Sequence, residues 1–338
     1  MGLNPQTAMS APGFEGAEVL ITGGLGFIGS TLAIRLVGLG AHVTIVDAMI
    51  PGYGGNVFNI EPIRDRVKLN ISDIRDRHGM NHLVKGKDYI FHLASQVSHI
   101  HSMVVDPFDD IDINIKGTAI LLEACKAHNR SAVVVRAGTR GQYGPTSALP
   151  VSEDAPMNPK GIYEISQLTA EKTLEVYGER FGIRAVNLRL TNIYGPRAQM
   201  CHSHYGVANW FVRLAIDGET IKIFGDGSIK RDFLYVDDCV EALVESARRP
   251  AAHGKIFNVG FGIPTTFKEF AERLIAIAGS GRWEHTPFSP ERAAQEPGDF
   301  YSDISRIGKI VGWTPRTSLD QGLSQSVEYY RKWRERYW

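Results

Sequence analysis

A glycine-rich turn between a strand and a helix is the feature that most constrains this chain. Residues A-E-V-L-I-T (17–22) form an apolar run typical of a buried strand, and F-I-G-S-T-L-A-I-R-L-V-G-L-G (27–40) has helical periodicity. The motif T-G-G-L-G-F-I-G (22–29) joins the two. In this strand–turn–helix setting the motif is typical of a dinucleotide-binding fold, whereas a bare glycine-rich turn would indicate nothing specific.

The glycines of this motif have distinct predicted roles. A side chain at Gly23 or Gly26 would obstruct the tight turn or the approach of a pyrophosphate, and Gly29 would permit close packing of the helix on the strand. The helix that starts with Phe27 and Ile28 would direct unpaired N–H groups at the phosphates. We therefore predict that these five residues bind the cofactor.

Further strand-like runs alternate with helical segments through the first half of the chain. The predicted strands span residues 42–47, 88–94, 132–137 and 184–190, and residues 115–127 have helical periodicity. This alternation predicts an α/β fold with a doubly wound, Rossmann-type parallel sheet. After residue 195 the rhythm changes to short strands and helices, which predicts a smaller mixed α/β lobe over the carboxyl ends of the sheet.

The composition excludes several classes of protein. Thirty-seven basic residues balance thirty-seven acidic ones, so the chain has no electrostatic footprint for nucleic acid. It has no apolar run long enough to predict a membrane span and no signal peptide. Cys125, Cys201 and Cys239 lie far apart, which favours reduced thiols in a cytoplasmic protein. Cys201 lies near His202 and His204, but without a fourth spaced ligand we predict an ordinary loop and no metal site.

An acidic residue closes the second predicted strand. Asp47 follows Gly29 by eighteen residues, where a carboxylate would accept hydrogen bonds from a ribose and repel a 2′-phosphate. This favours NAD, although Arg64 and Arg66 keep NADP open. Asp73 and Ile74 are placed to flank the adenine, and the alternative that Asp73 caps a helix is equally open.

Several ordered motifs give the chain a family resemblance from about residue 16 to 330. It resembles the extended short-chain dehydrogenases/reductases, and among them the sugar-nucleotide epimerases and dehydratases of the UDP-glucose 4-epimerase kind. The motifs that carry this resemblance are T-G-G-L-G-F-I-G, F-H-L-A-S-Q (91–96), D-P-F-D-D-I-D-I-N-I-K-G-T (106–118), T-R-G-Q-Y-G-P (139–145), Y-x-x-x-Q (163–167), L-R-L-T-N-I-Y-G-P-R (188–197), R-D-F-L-Y-V-D-D (231–238) and F-N-V-G (257–260).

The resemblance implies a division of the chain into domains and a set of partners. It implies an NAD-binding Rossmann domain of residues 16–190 plus about 231–258, and a sugar-nucleotide-binding lobe of residues 191–230 and 259–338. Residues 1–15 are expected to form a flexible leader. Helices around 109–127 and 163–181 match those that pair in the family's dimers, so a homodimer is expected.

The chemistry implied by the resemblance is reversible hydride transfer between a sugar carbon, usually C4, and NAD. Tyr163 would be the general base and Thr139 the hydroxyl that orients the sugar. Leu93, Ala94 and Gln96 would lie along the cofactor. Either hydroxyl residue could instead be structural, as a core aromatic or a strand-end residue.

Other positions match the family's substrate site. Asn192 and Arg231 would face the diphosphate, or alternatively form surface salt bridges. His99 and Arg140 are candidates for contact with the sugar, and a solvated or structurally bonded histidine remains open. The family's arginine before a late Gly-Asp is missing here, with Arg292 four residues earlier than that position.

The residues after Thr139 limit which reactions of the family are possible. The family's 4,6-dehydratases have Asp-Glu there, whereas this chain has Arg140 and Gly141, which disfavours dehydration. Epimerisation needs only oxidation, reorientation and re-reduction, and it is the predicted activity. An NAD(P)-dependent 4-keto-sugar reductase and a catalytically impaired nucleotide-sugar-binding protein are the alternatives.

The position of the family's site lysine holds Gln167. It lies about 40° from Tyr163 around a helix, on the same face. Glutamine keeps a hydrogen-bond donor for the ribose but carries no charge, which predicts a slower proton transfer and not a dead site. Lys172 would lie on the opposite side of the helix, and Lys160, before the helix, is only a weak candidate to reach the site. A lysine at position 167 would be expected to raise the rate of the reaction.

Overall fold

A seven-stranded parallel sheet forms the centre of the computed structural model, which describes residues 13–288 and 296–338. The strands are β1 (Glu18–Thr22), β2 (His42–Asp47), β3 (Val67–Ile71), β4 (Tyr89–His92), β5 (Val133–Thr139), β6 (Arg184–Leu190) and β11 (Lys255–Val259). Their order across the sheet is β11-β6-β5-β4-β1-β2-β3. The order reverses between β1 and β4, which is where ligands bind in open α/β sheets.

Helices cover both faces of the sheet because both faces of its central strands are apolar. On one face, α1 (Phe27–Gly38), α7 (Val236–Arg248) and α9 (Ser305–Val311) contribute to one buried cluster. On the other face, α2 (Arg77–Leu83), α4 (Thr118–His128) and α5 (Ile162–Phe181) contribute to a second. This arrangement confirms the predicted doubly wound fold.

A second lobe has its own core over the carboxyl ends of these strands. It contains α6 (Val207–Ile216), α8 (Phe267–Ala278) and α10 (Leu319–Trp333), with aromatic and aliphatic side chains between them. Short strand pairs of two to five residues complete it or join it to the sheet. These strands are β7 (Asn192–Tyr194) with β10 (Phe233–Tyr235), β8 (Thr220–Phe224) with β13 (Arg282–Thr286), and β9 (Lys230–Arg231) with β12 (Thr265–Thr266).

Some boundaries differ from the predictions for physical reasons. Among the short strands expected after residue 195, β8 ends at Phe224 because Gly225 and Gly227 adopt positive φ. The first residues of the helix predicted over 115–127 belong to a π-helical stretch, Asp110–Gly117, so α4 begins at Thr118, and α3 (His99–Val104) lies before that stretch.

The leader predicted over residues 1–15 is wrong at Phe14. Residues 1–12 lie outside the described residues, as does Arg292. Phe14, however, is 4% exposed and packs with Tyr89 at a ring distance of 4.7 Å. Residue 14 therefore belongs to the folded core. Within the described residues, no helix is both long and apolar enough to cross a membrane.

Candidate active site

One cavity of about 980 Å³ is lined by residues at the carboxyl ends of β1, β2, β4, β5 and β6 and by residues of the second lobe. It brings together most of the residues predicted for cofactor and substrate. Those that line it are Gly23, Gly26, Phe27, Ile28, Gly29, Asp47, Asp73, Ile74, Leu93, Ala94, Thr139, Arg140, Tyr163, Gln167, Asn192 and Arg231. A cavity of this size is in the range that encloses a cofactor or a substrate of drug-like size.

The glycine turn forms the cofactor end of this cavity. Gly23 has φ +71°, and a Cβ there would lie 2.8 Å from the backbone nitrogen of Ala94. A Cβ at Gly29 would overlap the carbonyl oxygen of Gly23. Gly26 caps α1 without a side-chain hydrogen bond, so the first N–H groups of the helix remain available to phosphate oxygens. This turn therefore fits a pyrophosphate group.

Asp47 is held at the ribose position by the turn itself. Its carboxylate accepts hydrogen bonds from the N–H groups of Leu25 at 3.0 Å and Met49 at 2.8 Å. Burial raises the pKa of Asp47, and the two N–H groups oppose that shift. A carboxylate has further lone pairs for a ribose diol. The residues that kept NADP open, Arg64 and Arg66, bond elsewhere and do not line the cavity.

The adenine positions answer the open question about Asp73. Its carboxylate pairs with Arg75, whose Nη2 lies 2.7 Å from Oδ2. The carboxylate that caps α2 is that of Asp76, which accepts from the N–H group of His78. The capping alternative for Asp73 is therefore wrong, and Ile74 lines the cavity beside it.

Gln96 is the one cofactor candidate that does not line the cavity. It is fully buried, and its amide lies 2.9 to 3.0 Å from Ser98, Ser102 and Asp110. Its backbone N–H group donates to Asn114 on the π-helical stretch. Gln96 thus secures the segment after β4 against that stretch, while the adjacent Ser95 faces the cavity.

Tyr163 and Thr139 meet where α5 begins and β5 ends. Both side chains line the cavity, and the Thr139 hydroxyl accepts the N–H group of Gly141 at 3.1 Å. Burial raises the pKa of Tyr163 to about 12, and the neighbouring Thr139 hydroxyl has the largest effect that opposes the rise. The phenol therefore needs a further source of positive potential before it can lose its proton near neutral pH.

Gln167 lies one turn beyond Tyr163 and is buried between the cavity and the sheet. Its Nε2 donates to the Ser95 hydroxyl at 2.6 Å, and its Oε1 accepts from Nη2 of Arg136 at 2.5 Å. Arg136 was missed as a site residue. The available signal was a lone charge in the apolar strand A-V-V-V-R-A, since a charge so placed must be satisfied inside the protein.

Glu164 was also missed. It lines the cavity next to Tyr163, and a Cβ at Gly141 would lie 2.9 Å from its Cγ. The side chain thus fills the space above Gly141. A carboxylate therefore lies in this part of the cavity although positions 140 and 141 supply none.

Two arginines, Arg140 and Arg231, also line the cavity. Arg231 is 4% exposed, pairs with Glu296 and donates to the carbonyl of Gly298 at 2.7 Å, so the alternative of a surface salt bridge is wrong. The Arg140 guanidinium lies 4.9 Å from the Phe300 ring. Burial, and then the charge of Arg231, lowers the pKa of Arg140 to about 9. An anion between them would be stabilised by both.

The remaining candidates lie outside this arrangement or at its edge. His99 begins α3, and its side chain lies outside the described part of the chain. Lys160 lines the cavity, whereas Lys172 is exposed and pairs with Glu175. The described side chains include no group of three or more His, Cys, Asp or Glu residues that could hold a metal.

Comparisons with known proteins agree with this geometry. Residues 19–260 match the NAD dependent epimerase/dehydratase family. The UDP-glucose 4-epimerase of Mycolicibacterium smegmatis is 35% identical over 318 residues, which cover 93% of this chain and 98% of that protein. The dTDP-glucose 4,6-dehydratase of Streptomyces griseus is 30% identical over 323 residues, with 94% and 95% covered. The solved UDP-glucose 4-epimerase of Thermus thermophilus, in complex with NAD, aligns with a TM-score of 0.82 at 29% identity, with 93% of this chain and 99% of that one covered.

Fold and cavity together define an enzyme of the Rossmann type that uses a dinucleotide. The chain belongs to the NAD dependent epimerase/dehydratase family, and NAD is the cofactor of that family. The resemblance and the cofactor expected from the sequence are thereby confirmed. The glycine turn and Asp47 fit this cofactor by their shape and hydrogen-bonding capacity.

Proposed function

We propose that the chain is an NAD-dependent epimerase of a nucleotide-diphosphate sugar that inverts a carbon, C4 by preference, through oxidation and re-reduction. The observation that supports this most is that Tyr163 and its neighbour Thr139 line the same cavity as the glycine turn and Arg231. A sugar hydroxyl at this point would be within reach of a proton acceptor, with its diphosphate toward the arginine.

Each residue has a defined part in this proposal. Tyr163 removes the proton of the sugar hydroxyl and returns it after the oxidised sugar has reoriented to present its other face. Thr139 orients that hydroxyl. Gln167 directs its N–H group at the cavity, where the family's lysine would donate. Asn192 and Arg231 hold the diphosphate. NAD, when bound, supplies the site that accepts and gives back the hydride.

The proposal is tested by incubating the purified protein with a panel of UDP- and dTDP-sugars and analysing the products. We expect isomerisation of one sugar with no net consumption of added NADH. A reductase would consume NADH, and a mere binding protein would convert nothing. Tyr163→Phe is the matched control and is expected to lower turnover by ~10²–10⁴-fold. Absence of isomerisation of any sugar by NAD-loaded protein would overturn the proposal.

Dehydration is the second candidate because Glu164 fills the space above Gly141. A carboxylate there would be placed to exchange a proton with C5 of a 4-keto sugar. In that case a 4-keto-6-deoxy product accumulates and Glu164→Gln abolishes it. Under the proposed epimerisation, Glu164→Gln leaves a measurable isomerase, because only Tyr163 must accept the proton.

A homodimer in the cytoplasm, with no membrane and no nucleic acid as partner, completes the proposal. Ile165 and Val176 are 45% and 50% exposed and lie eleven residues, or about three turns, apart on α5. Ile111 within the π-helical stretch and Phe108 just before it add exposed apolar surface. An exposed apolar face of this kind supports pairing with a second copy. Light scattering during gel filtration would give the mass that decides it.

A further inference from the structure

Arg136 is a buried cation in the middle of the sheet. It is 3% exposed and lies at the point where β5 passes under α5. On this strand Val134, Arg136 and Gly138 share a face, because side chains alternate along a strand. A Cβ at Gly138 would lie 3.1 Å from Nη1 of Arg136. The missing side chain at Gly138 thus leaves the room in which the guanidinium lies.

The partners of Arg136 are amides. Nη1 donates to Oδ1 of Asn187 at 2.9 Å and Nη2 donates to Oε1 of Gln167 at 2.5 Å. Among the described residues no carboxylate forms a direct ion pair with it. Glu171, the carboxylate in its neighbourhood, is bound on both oxygens by Arg189, with Nη2 to Oε1 at 2.6 Å. Two guanidinium charges and one carboxylate therefore leave one net positive charge in this layer.

The neighbouring titratable groups differ in their effect. On β4, His92 bonds to Thr22 and Thr118 at 2.9 Å each, and burial followed by the charge of Arg136 lowers its pKa to about 3, so it stays neutral and adds no charge. At Tyr163, Glu164 opposes Arg136 with the larger effect and Asp110 with a smaller one, because their negative charge raises the pKa of the phenol. Arg136 is the cation that lowers the pKa of Tyr163 against them.

Gln167 is oriented by Arg136. A guanidinium has only donors, so the amide must turn its oxygen to Arg136 and its NH₂ group to Ser95 and the cavity. Ser95 in turn donates to Asn114 at 2.7 Å. Donors in such a chain polarise one another, which strengthens the bond that Gln167 offers to the cavity.

We propose that Arg136 is a positioning residue that, through Gln167, supplies the positive potential under which Tyr163 loses its proton. The inference rests on the proposed function only in taking Tyr163 as the base. This role of Arg136 explains how a site with glutamine at position 167 can work. The positive charge lies one layer deeper, on β5, and its effect is transmitted to the cavity by the Gln167 amide. A positive charge near an acid favours its ionised form.

The test places 3-nitrotyrosine at position 163 of the full chain and follows its visible absorbance against pH. The phenol of this residue ionises near neutral pH, and its absorbance is separate from that of the other tyrosines. Arg136→Gln is expected to raise the midpoint by about one pH unit. Arg136→Lys and the double variant Arg136→Gln/Gln167→Lys, which keep one charge, are expected to return it toward the unsubstituted value. Lys172→Gln removes an exposed charge from the same helix and should leave it unchanged.

The same variants with the natural Tyr163 give the second readout, the pH profile of kcat on the sugar that turns over. Arg136→Gln should move the acidic limb upward by the same amount, about tenfold in rate per unit, with little change in KM. If the nitrophenol midpoint is equal in Arg136→Gln, Arg136→Lys and the unsubstituted protein, the inference is wrong. The titration needs no substrate, so a shift without any sugar conversion would overturn only the proposed function. Conversion without a shift would overturn only the role of Arg136. If Arg136→Gln does not fold, Gln167→Lys is compared with the double variant Arg136→Gln/Gln167→Lys. Both carry the new lysine and only the first keeps Arg136, so its midpoint should be about one pH unit lower, and equal midpoints would contradict the inference.

Discussion

Two arginines on neighbouring strands of the same sheet are buried to the same degree and bonded in different ways. Arg189 on β6 holds both oxygens of the Glu171 carboxylate, and both side chains are 3% exposed or less. Arg136 on β5 holds the amides of Asn187 and Gln167. The pKa values move apart accordingly. Bonding to Glu171 raises that of Arg189 against the effect of burial, whereas burial lowers that of Arg136 to about 10.

The difference separates an arginine that stabilises the fold from one that acts on the site. A paired charge has little field beyond its partner, and its loss leaves a buried carboxylate unsatisfied. A charge held by neutral amides keeps its field, and the positive charge of Arg136 favours the ionised form of Tyr163. If this is correct, substitutions at the two arginines will have different consequences, and the following experiments can separate them.

The largest effect is expected on stability, at Arg189. Arg189→Met leaves Glu171 buried without its partner and should lower the free energy of unfolding by about 3–5 kcal/mol. Urea unfolding followed by circular dichroism measures this. Adding Glu171→Gln to the same chain should recover a large part of the loss, since no uncompensated charge remains. A loss below about 1 kcal/mol would show that the pair does not carry the role assigned to it.

The next effect is expected for Gln167→Lys. Sequence alone favours a gain in rate, because lysine is the residue of the family. The structure adds a cost in stability: the new ammonium would face Nη2 of Arg136, which now donates to Gln167. We expect a loss of about 1–3 kcal/mol in stability, since a hydrogen bond is replaced by a contact of like charges. The double variant Arg136→Gln/Gln167→Lys should be more stable than Gln167→Lys alone. Equal unfolding midpoints for the two would contradict the contact.

The third effect concerns His92, whose neutrality leaves Arg136 as the unpaired cation. Its pKa of about 3 in the folded chain lies below the usual 6.5. The unfolded chain therefore binds more protons below pH 6.5, and stability falls as the pH drops toward 3. Between pH 6.5 and 5 the loss assigned to His92 is about 2 kcal/mol. Urea unfolding at both pH values should show a smaller difference for His92→Asn than for the natural chain. Substitution of the exposed His78 by Asn should not change the difference.

The sequence predicted some parts of the site and not others. The glycine turn, Asp47 and the Tyr163 helix were predictable because their roles depend on consecutive residues and on one helical period. The β5–α5 layer was not, because it joins residues that the chain separates: Arg136 and Gln167 are 31 positions apart. Gln96 shows a further limit. A loop after a strand has no period, so the sequence could not say that Ser95 faces the cavity and Gln96 the interior.

Glu164 was missed for a related reason. The family pattern directs attention to positions 140 and 141, and only the folded chain brings a carboxylate from α5 over Gly141. The prediction that dehydration is disfavoured depended on those two positions alone. The reaction type therefore needs the sugar-panel experiment, whereas fold and cofactor did not.

The smallest effect is expected at Gly138, which leaves room for the guanidinium of Arg136 without bonding to it. In Gly138→Ala the new Cβ would lie 3.1 Å from Nη1 of Arg136 and 3.2 Å from Nδ2 of Asn187, so both must move by a few tenths of an ångström. Overpacking of this kind costs about 1 kcal/mol or slightly more. This displacement also lengthens the hydrogen bond from Arg136 to Gln167. We therefore expect kcat to fall a few-fold, which is more than the loss of folded protein alone explains. Gly38→Ala, where a Cβ meets nothing within 4 Å, is the matched control for unfolding and kcat. If Gly138→Ala equals this control in both, the guanidinium is not confined at this point, and the contrast between the two arginines loses its geometric basis.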